Sequence, residues 1–477
     1  MKGSVLKLVA MQTSQAHPHS QQHPLRVRTT SGWVEGTLCS EGVGDNPALV
    51  RAWRGVPFAA ETSGARRYRA PEPAPRWDGV RDCTEYGPAA PQPTYSWTEK
   101  VLGSEDCLHL DIVRPNNDEQ LPVVVYFHGG SFILGSSHML MLRGLELAAN
   151  MNCVYVSVNF RLGALGYLDV SSLAGDAEAN PVMRDHIAAL EWVREFLHRL
   201  ALPRRTAVDE LRKESAADLV RAGQSMLWRS GALLNLNSCY APTIDGELLP
   251  EHPIAAFERG AQAPVPLIIG TNADEASFSK FMYQRRVART RAGVRMLTTV
   301  DEDSARELVH TYGPGVSRKN FAELIADALF WAPAVRVADA HAARHPTWMY
   351  RFDFAPKTMQ LLGLGAVHSA ELATVFGTPH AARAGRITSF GAEEDMRDLT
   401  ARMQSMWAQF IHGGTPGAPT TWPAYTLPER HTQIFDATDR VVSDPKKTKR
   451  EAWAEYTMLE WATGKPQLLK QLGMLTE

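Results

Sequence analysis

Leu121-Pro122-Val123-Val124-Val125-Tyr126-Phe127-His128-Gly129-Gly130-Ser131-Phe132 decides the fold class of this chain. Val123 to Phe127 is an unbroken β-branched and aromatic run without polar alternation, the pattern of a strand buried on both faces of a parallel sheet. Two glycines and a serine then turn the chain, small enough for backbone N–H groups to point into one shared cavity, which is what stabilising a tetrahedral oxyanion requires. A second run of the same kind, Cys153 to Phe160, predicts another buried strand. From Arg184 to Phe196, Ile187, Leu190, Val193 and Phe196 recur at helical intervals, so a helix is expected to pack after it. Further strands are expected at Pro266 to Gly270 and Trp348 to Phe354, each followed by a loop, and alternating residues around Ser31-Gly32 predict an N-terminal hairpin from Arg26 to Gly36. Strands alternating with helices define the α/β class, whose ligands gather at the carboxyl ends of the strands.

Composition sets milder bounds. The 477 residues are 44% hydrophobic and carry a net charge of -2. That balance gives no electrostatic reason to expect nucleic acid or an anionic membrane surface as a partner. The start, Met1 to Gln22, has a short apolar run broken by Lys7, too brief and polar for a secretory segment, and no later stretch approaches a membrane span. Residues 1–24 are expected to form a disordered tail and residues 25–477 one domain. Five cysteines (Cys39, Cys83, Cys107, Cys153, Cys239) are a sparse, odd set that suits reduced thiols and a cytoplasmic setting. His17, His19 and His23 sit in that tail and do not form a ligand set. No metal site, nucleotide loop or cofactor is expected.

Several motifs, taken in order from about Arg26 to Pro445, carry a resemblance. Glu105-Asp106-Cys107-Leu108 and His128-Gly129-Gly130-Ser131-Phe132 are the strongest. Asn159-Phe160-Arg161-Leu162-Gly163, Asp185 through Trp192, Asp245-Gly246, Thr271-Asn272-Ala273-Asp274-Glu275, Val367-His368-Ser369-Ala370-Glu371 and Trp422-Pro423-Ala424-Tyr425 follow in register. The chain resembles the type-B carboxylesterases, the family that includes the cholinesterases. The resemblance implies an α/β-hydrolase fold with a central, mostly parallel sheet, and small-molecule carboxylic esters as substrates. It also implies Gly130 and Ser131 as amide donors of an oxyanion hole, Glu275 as the acid that orients an imidazole, and His368 as the general base. Taken alone, an Asp-Glu pair in a loop reads as a solvated turn and a loop histidine as a surface residue. The matching sequence around them reverses both readings. Phe132, Phe278 and Phe330 are candidates for lining a substrate pocket, and Trp97 and Trp331 are further large aromatics that core packing would equally explain.

One segment is missing from the pattern. No G-x-S-x-G occurs in the 477 residues; the nearest approach, Gly223-Gln224-Ser225-Met226-Leu227, lacks the closing glycine. Leu197 to Ala222 is charged, with Thr206 and Asp209 arranged like a capping box, so it reads as a helix rather than the buried strand an elbow needs. Compared with the family, the nucleophile strand, its helix and a neighbouring strand are expected to be cut out as a block near 196–197, leaving the sheet open at its centre. The catalytic serine is therefore not found, and Ser225 is only a weak substitute. Three functions stay open: an impaired ester hydrolase, a non-catalytic cholinesterase-like binding protein, or an internally deleted gene product. Ala90 stands where the family often has the cysteine that pairs with Cys107, so no disulfide is predicted. His109 replaces a tyrosine or threonine of the family pattern and is expected near the surface. Substrate identity and oligomeric state are not encoded in any of these motifs.

Overall fold

The computed structural model describes residues 25–40, 49–94, 100–171, 175–195, 240–281, 285–297, 302–313, 316–378 and 392–458. The N-terminal tail, the junction at 196–197, the helix expected from Leu197 to Ala222, Ser225, Cys239 and Trp97 lie outside them.

In chain order the strands are β1 (Arg26–Arg28), β2 (Trp33–Glu35), β3 (Thr37–Cys39), β4 (Val50–Pro57), β5 (Val80–Asp82), β6 (Gln92–Pro93) and β7 (Val101–Leu102). They continue as β8 (His109–Pro115), β9 (Val123–Phe127), β10 (Val154–Val158), β11 (Leu267–Asn272), β12 (Thr347–Phe352), β13 (His431–Phe435) and β14 (Arg440–Ser443). The N-terminal hairpin forms as expected, with Arg26 opposite Glu35 and Arg28 opposite Trp33. The strands that matter for the site fall into two sheets among the described residues. One has the order β3-β4-β8-β10-β9 and the other β11-β12-β13-β14. β10 pairs parallel with β9 and antiparallel with β8, while β11, β12 and β13 are parallel and β14 closes the second sheet antiparallel.

β9 and β11 therefore each stand at one end of their sheet, hydrogen-bonded on one side only among the described residues. Their burial reflects it. β10, flanked on both sides, is buried from Tyr155 to Val158, whereas β9, just as apolar, has Val123 42% exposed and Val124 to Phe127 only half-buried. Full burial of β9 was the sequence expectation, and the structure corrects it. An apolar run is covered only if something packs against it, and an edge position leaves it part-open. Leu267 to Gly270 of β11 are likewise half-buried.

Helices bridge the two sheets on one face. Phe376, from the helix Leu372–Phe376, packs edge-on against Tyr126 of β9 at 5.1 Å and Tyr155 of β10 at 5.8 Å. Trp407, from the helix Glu393–Gly413, packs both with that group and with Tyr350, Trp422 and Phe435 of the second sheet's core. Polar bonds reinforce the seam: Asn150 Nδ2 donates to Gln404 Oε1 at 2.9 Å, and a ring nitrogen of His412 meets the Met151 carbonyl at 2.9 Å. On the other face the cores stay separate, one around Trp53, Leu110 and Phe160, the other around Phe321, Leu324 and Trp453.

His109 is a second correction. It is 3% exposed, in β8 between β4 and β10, with Gly87 tight against its ring. A position in the middle of a sheet is covered whatever residue occupies it, and burial pushes the imidazole pKa below its usual value. Cys39, Cys83, Cys107 and Cys153 are buried and unpaired with one another.

Candidate active site

The loop after β9 is held in a conformation that frees two amides. Gly130 (φ 141°), Ser131 (φ 53°) and Phe132 (φ 67°) follow one another at positive φ. Two of the three are not glycine, so the turn stores strain of about 1–3 kcal/mol per residue that its surroundings must offset. Ile133 and Leu134 donate their N–H groups to the Gly130 carbonyl at 3.0 and 3.1 Å, and Gly163 donates to the Phe132 carbonyl at 2.7 Å. Gln92 clamps the far end, accepting from the Gly135 N–H at 2.9 Å and donating to its carbonyl at 2.8 Å. Gly130 is required here: a Cβ at this position would stand 1.8 Å from the Leu134 carbonyl oxygen. The N–H groups of Gly130 and Ser131 take no hydrogen bond among the described residues. Ser131 and Phe132 are exposed, and the Phe132 ring lies 4.8 Å from that of Tyr167.

The loop after β11 presents a carboxylate. Glu275 is 5% exposed, and its Oε1 accepts the Asn272 backbone N–H at 2.7 Å. Its Oε2 lies 2.7 Å from Nδ1 of His368, 93 positions further along the chain. The histidine loop is docked onto the same turn: Asp274 donates its N–H to the Ala366 carbonyl at 2.9 Å, and Ser277 Oγ donates to the Leu364 carbonyl at 2.5 Å. Gly365, at φ 70°, permits that close approach, since a Cβ there would meet Asp274 Oδ2 at 2.1 Å. The hydrogen bond from Glu275 raises the His368 pKa above its usual value, burial opposing it, so the imidazolium is favoured. With Nδ1 committed to Glu275, Nε2 is the free nitrogen; it makes no hydrogen bond among the described residues, and the side chain is 57% exposed. Phe330 packs against the imidazole, the ring centroids 4.8 Å apart and the planes tilted by 34°.

Two residues quoted within the motifs but given no role join this cluster. Asn272 Nδ2 donates to Glu371 Oε2 at 2.6 Å and lies 3.4 Å from Glu275 Oε1. Burial raises the Glu371 carboxyl pKa, which lessens repulsion between two acids held by one amide. Glu275, His368 and Phe330 thus come together around the second sheet, while Gly130, Ser131 and Phe132 form a second group on the first. No hydrogen bond or ring contact joins the two groups among the described residues. Phe278 lies in the short helix Ser277–Phe281 directly after Glu275.

Beneath the Gly130 loop, His128 stacks on Phe160 at 4.3 Å, and His186 packs against Phe127 and Phe160, each at 4.5 Å. Nε2 of both histidines is buried without a partner. Among the described residues no cluster of three or more His, Cys, Asp or Glu side chains is arranged to hold a metal ion, and no helix is long and apolar enough to cross a membrane.

The chain as a whole is matched by comparison with known proteins. The carboxylesterase family profile matches residues 23–201 and 198–453. The chain belongs to the carboxylesterase family. It is similar to para-nitrobenzyl esterase of Bacillus subtilis (strain 168), with 29% identity over 492 aligned positions that span 89% of this chain and 97% of that protein. It is also similar to the cocaine esterase of Homo sapiens, at 28% identity, covering 86% of this chain and 87% of that one. Among solved structures, a thermophilic pNB esterase superposes with a TM-score of 0.77 at 28% identity, over 90% of this chain and 100% of that one. The fold is the α/β-hydrolase fold.

Proposed function

We propose that this carboxylesterase-family chain keeps the acid, the base and the oxyanion-hole amides of a carboxylic ester hydrolase but lacks the nucleophile elbow, and is therefore impaired or inactive as it stands. The observation that carries the retained half is the 2.7 Å bond from His368 Nδ1 to Glu275 with Nε2 left free. That orientation suits an imidazole that takes a proton from a hydroxyl at Nε2 while Glu275 stabilises the imidazolium. Gly130 and Ser131 would then hold the oxyanion of the tetrahedral intermediate, and Phe132, Phe278 and Phe330 would line the pocket for a small carboxylic ester.

The missing half is supported by four independent features. No G-x-S-x-G occurs in the sequence. The family profile matches in two stretches that meet at 198–201, beside the junction inferred at 196–197. The alignment to the Bacillus subtilis enzyme runs over 492 positions, more than the 477 residues of this chain, so part of that enzyme faces gaps. β9 and β11 are half-buried strands that pair on one side only among the described residues. This last feature favours an internally deleted product over a protein rebuilt for binding, because a rebuilt centre would cover its strand edges. The buried thiols, which form no disulfide among the described residues, fit a reducing, cytoplasmic setting.

Incubation with a fluorophosphonate probe and with short p-nitrophenyl esters tests the reading. No labelled serine and negligible turnover are expected. Labelling of one serine, lost on His368→Ala, would refute the missing nucleophile and make Ser225 the first position to map. Grafting the family's strand-elbow-helix-strand block between Phe196 and Leu197 is expected to create esterase activity that depends on His368.

A further inference from the structure

We propose that the π-turn Asp327–Trp331 is a positioning device for His368, holding the Phe330 ring against the imidazole from a buried anchor at Asp327, the first residue of the same turn. The inference rests on the Glu275–His368 pairing, and not on turnover.

The helix Arg318–Ala326 passes into the helix Ala332–Ala342 through five residues in π geometry. Such turns insert one residue into the helical repeat, re-aim the side chains around it, and persist where something else fixes them. Here the fixing groups are visible. Asp327 is fully buried; it accepts from Tyr312 Oη at 2.8 Å and from Lys446 Nζ at 2.5 Å. Trp453 Nε1 donates to the same Tyr312 oxygen at 2.7 Å, and Lys446 Nζ also lies 5.0 Å from the centre of the Trp331 ring. One side of the turn is thus tied into a buried polar network reaching the helix Lys447–Ala454. Three residues along the turn from Asp327, Phe330 reaches His368, its ring inclined by 34°.

His368 needs such support. It follows two glycines at positive φ, Gly363 and Gly365, and precedes Ser369 at φ 66°. More than half exposed, its ring is held among the described residues by one hydrogen bond, to Glu275, and by the Phe330 ring. The charged groups that face it are the carboxylates of Glu275, from the loop after β11, and Glu371, from the start of the helix Leu372–Phe376. Phe330 adds a π face, which attracts the imidazolium and restricts rotation of the ring away from Glu275 while leaving Nε2 open.

The test reads His368 directly, by NMR titration of the His Hε1 resonances in the full chain, with His368→Gln to assign the signal, so it stands or falls separately from any measurement of hydrolysis. Phe330→Leu is expected to move the His368 signal downfield, as the ring-current shielding is lost, and to lower its pKa by about half a unit. Phe330→Trp should retain both properties. Lys446→Met, remote from His368, should shift the resonance in the same direction by a smaller amount, with Tyr312→Phe as the second anchor variant if the first does not fold. An unchanged His368 signal in Phe330→Leu, or the same change in Phe330→Trp as in Phe330→Leu, overturns the role of the ring. A signal that ignores both anchor variants overturns the role of the π-turn.

Discussion

Replacing His186 by leucine should make the protein less sensitive to acid. The imidazole lies in the helix Pro181–Glu195, between Phe127 and Phe160, and its buried Nε2 has no partner. Burial lowers its pKa from 6.5 to about 4. A neutral base with a depressed folded pKa contributes stability that is complete above the unfolded value and is lost as the pH falls toward the folded one, because the unfolded chain takes up a proton that the folded chain refuses. At 1.36 kcal/mol per unit, the loss approaches about 3.4 kcal/mol across the whole window and about 2 kcal/mol at pH 5. Leucine removes the titration and forfeits two aromatic contacts of roughly 0.5–1.5 kcal/mol each. It also relieves a buried, unpaired nitrogen, whose replacement by an apolar group is close to neutral or favourable. His186→Leu is therefore expected within about 1–2 kcal/mol of wild type at pH 7.5, and to gain about 2 kcal/mol relative to wild type between there and pH 5. Urea unfolding of both proteins at the two pH values measures it. A stability difference that stays the same at pH 7.5 and pH 5 would refute the reasoning, since the imidazole would then titrate alike in the folded and unfolded chains. His128, lowered to about 4 for the same reason, makes the wild type still more acid-labile.

Glu275→Gln should lower the His368 pKa toward its ordinary value, because the bond from Glu275 is the main cause of its rise; NMR titration reads this. The pair's contribution to stability is complete below about pH 6.5 and is lost as the pH rises through the raised folded pKa, so the variant should lose more at pH 5 than at pH 9. Asp185→Asn strands the buried Arg161, which Asp185 grips at 2.5 and 2.8 Å, and should cost about 3–5 kcal/mol in urea unfolding. Amide exchange should be fast at alternate positions of β9, whose outer edge is unpaired among the described residues, and slow throughout Tyr155 to Val158 of β10; strong protection of Val125, whose N–H points away from β10, would show that β9 has a strand on each side.

The site was legible to different depths. Gly130 could be singled out from its own strand and turn, Glu275 and His368 only because the motifs around them resemble those of the carboxylesterases. Asn272 and Glu371 stood in the same quoted motifs without a role, since the amide that joins them acts across 99 positions and only the docking of one loop on the other creates it. The π-turn left no mark in the sequence: Asp327 to Trp331 reads as an ordinary helical stretch, and the residues that fix it, Tyr312 and Lys446, come from elsewhere in the chain.

Sequence by itself determined where β9, β10, β11 and β12 run and that a helix follows β10, because residue type and spacing act over a few positions and those suffice to choose a strand or a helix. It also determined the order of the amide loop, acid and histidine, and the absence of G-x-S-x-G. Only the tertiary structure decided that β9 is half open while the equally apolar β10 is closed, that His109 is interior, and that His368 turns Nδ1 to Glu275 and its ring face to Phe330. Burial and hydrogen bonding are properties of neighbours, and these neighbours are brought together by strand order and helix packing rather than by anything written beside them in the chain.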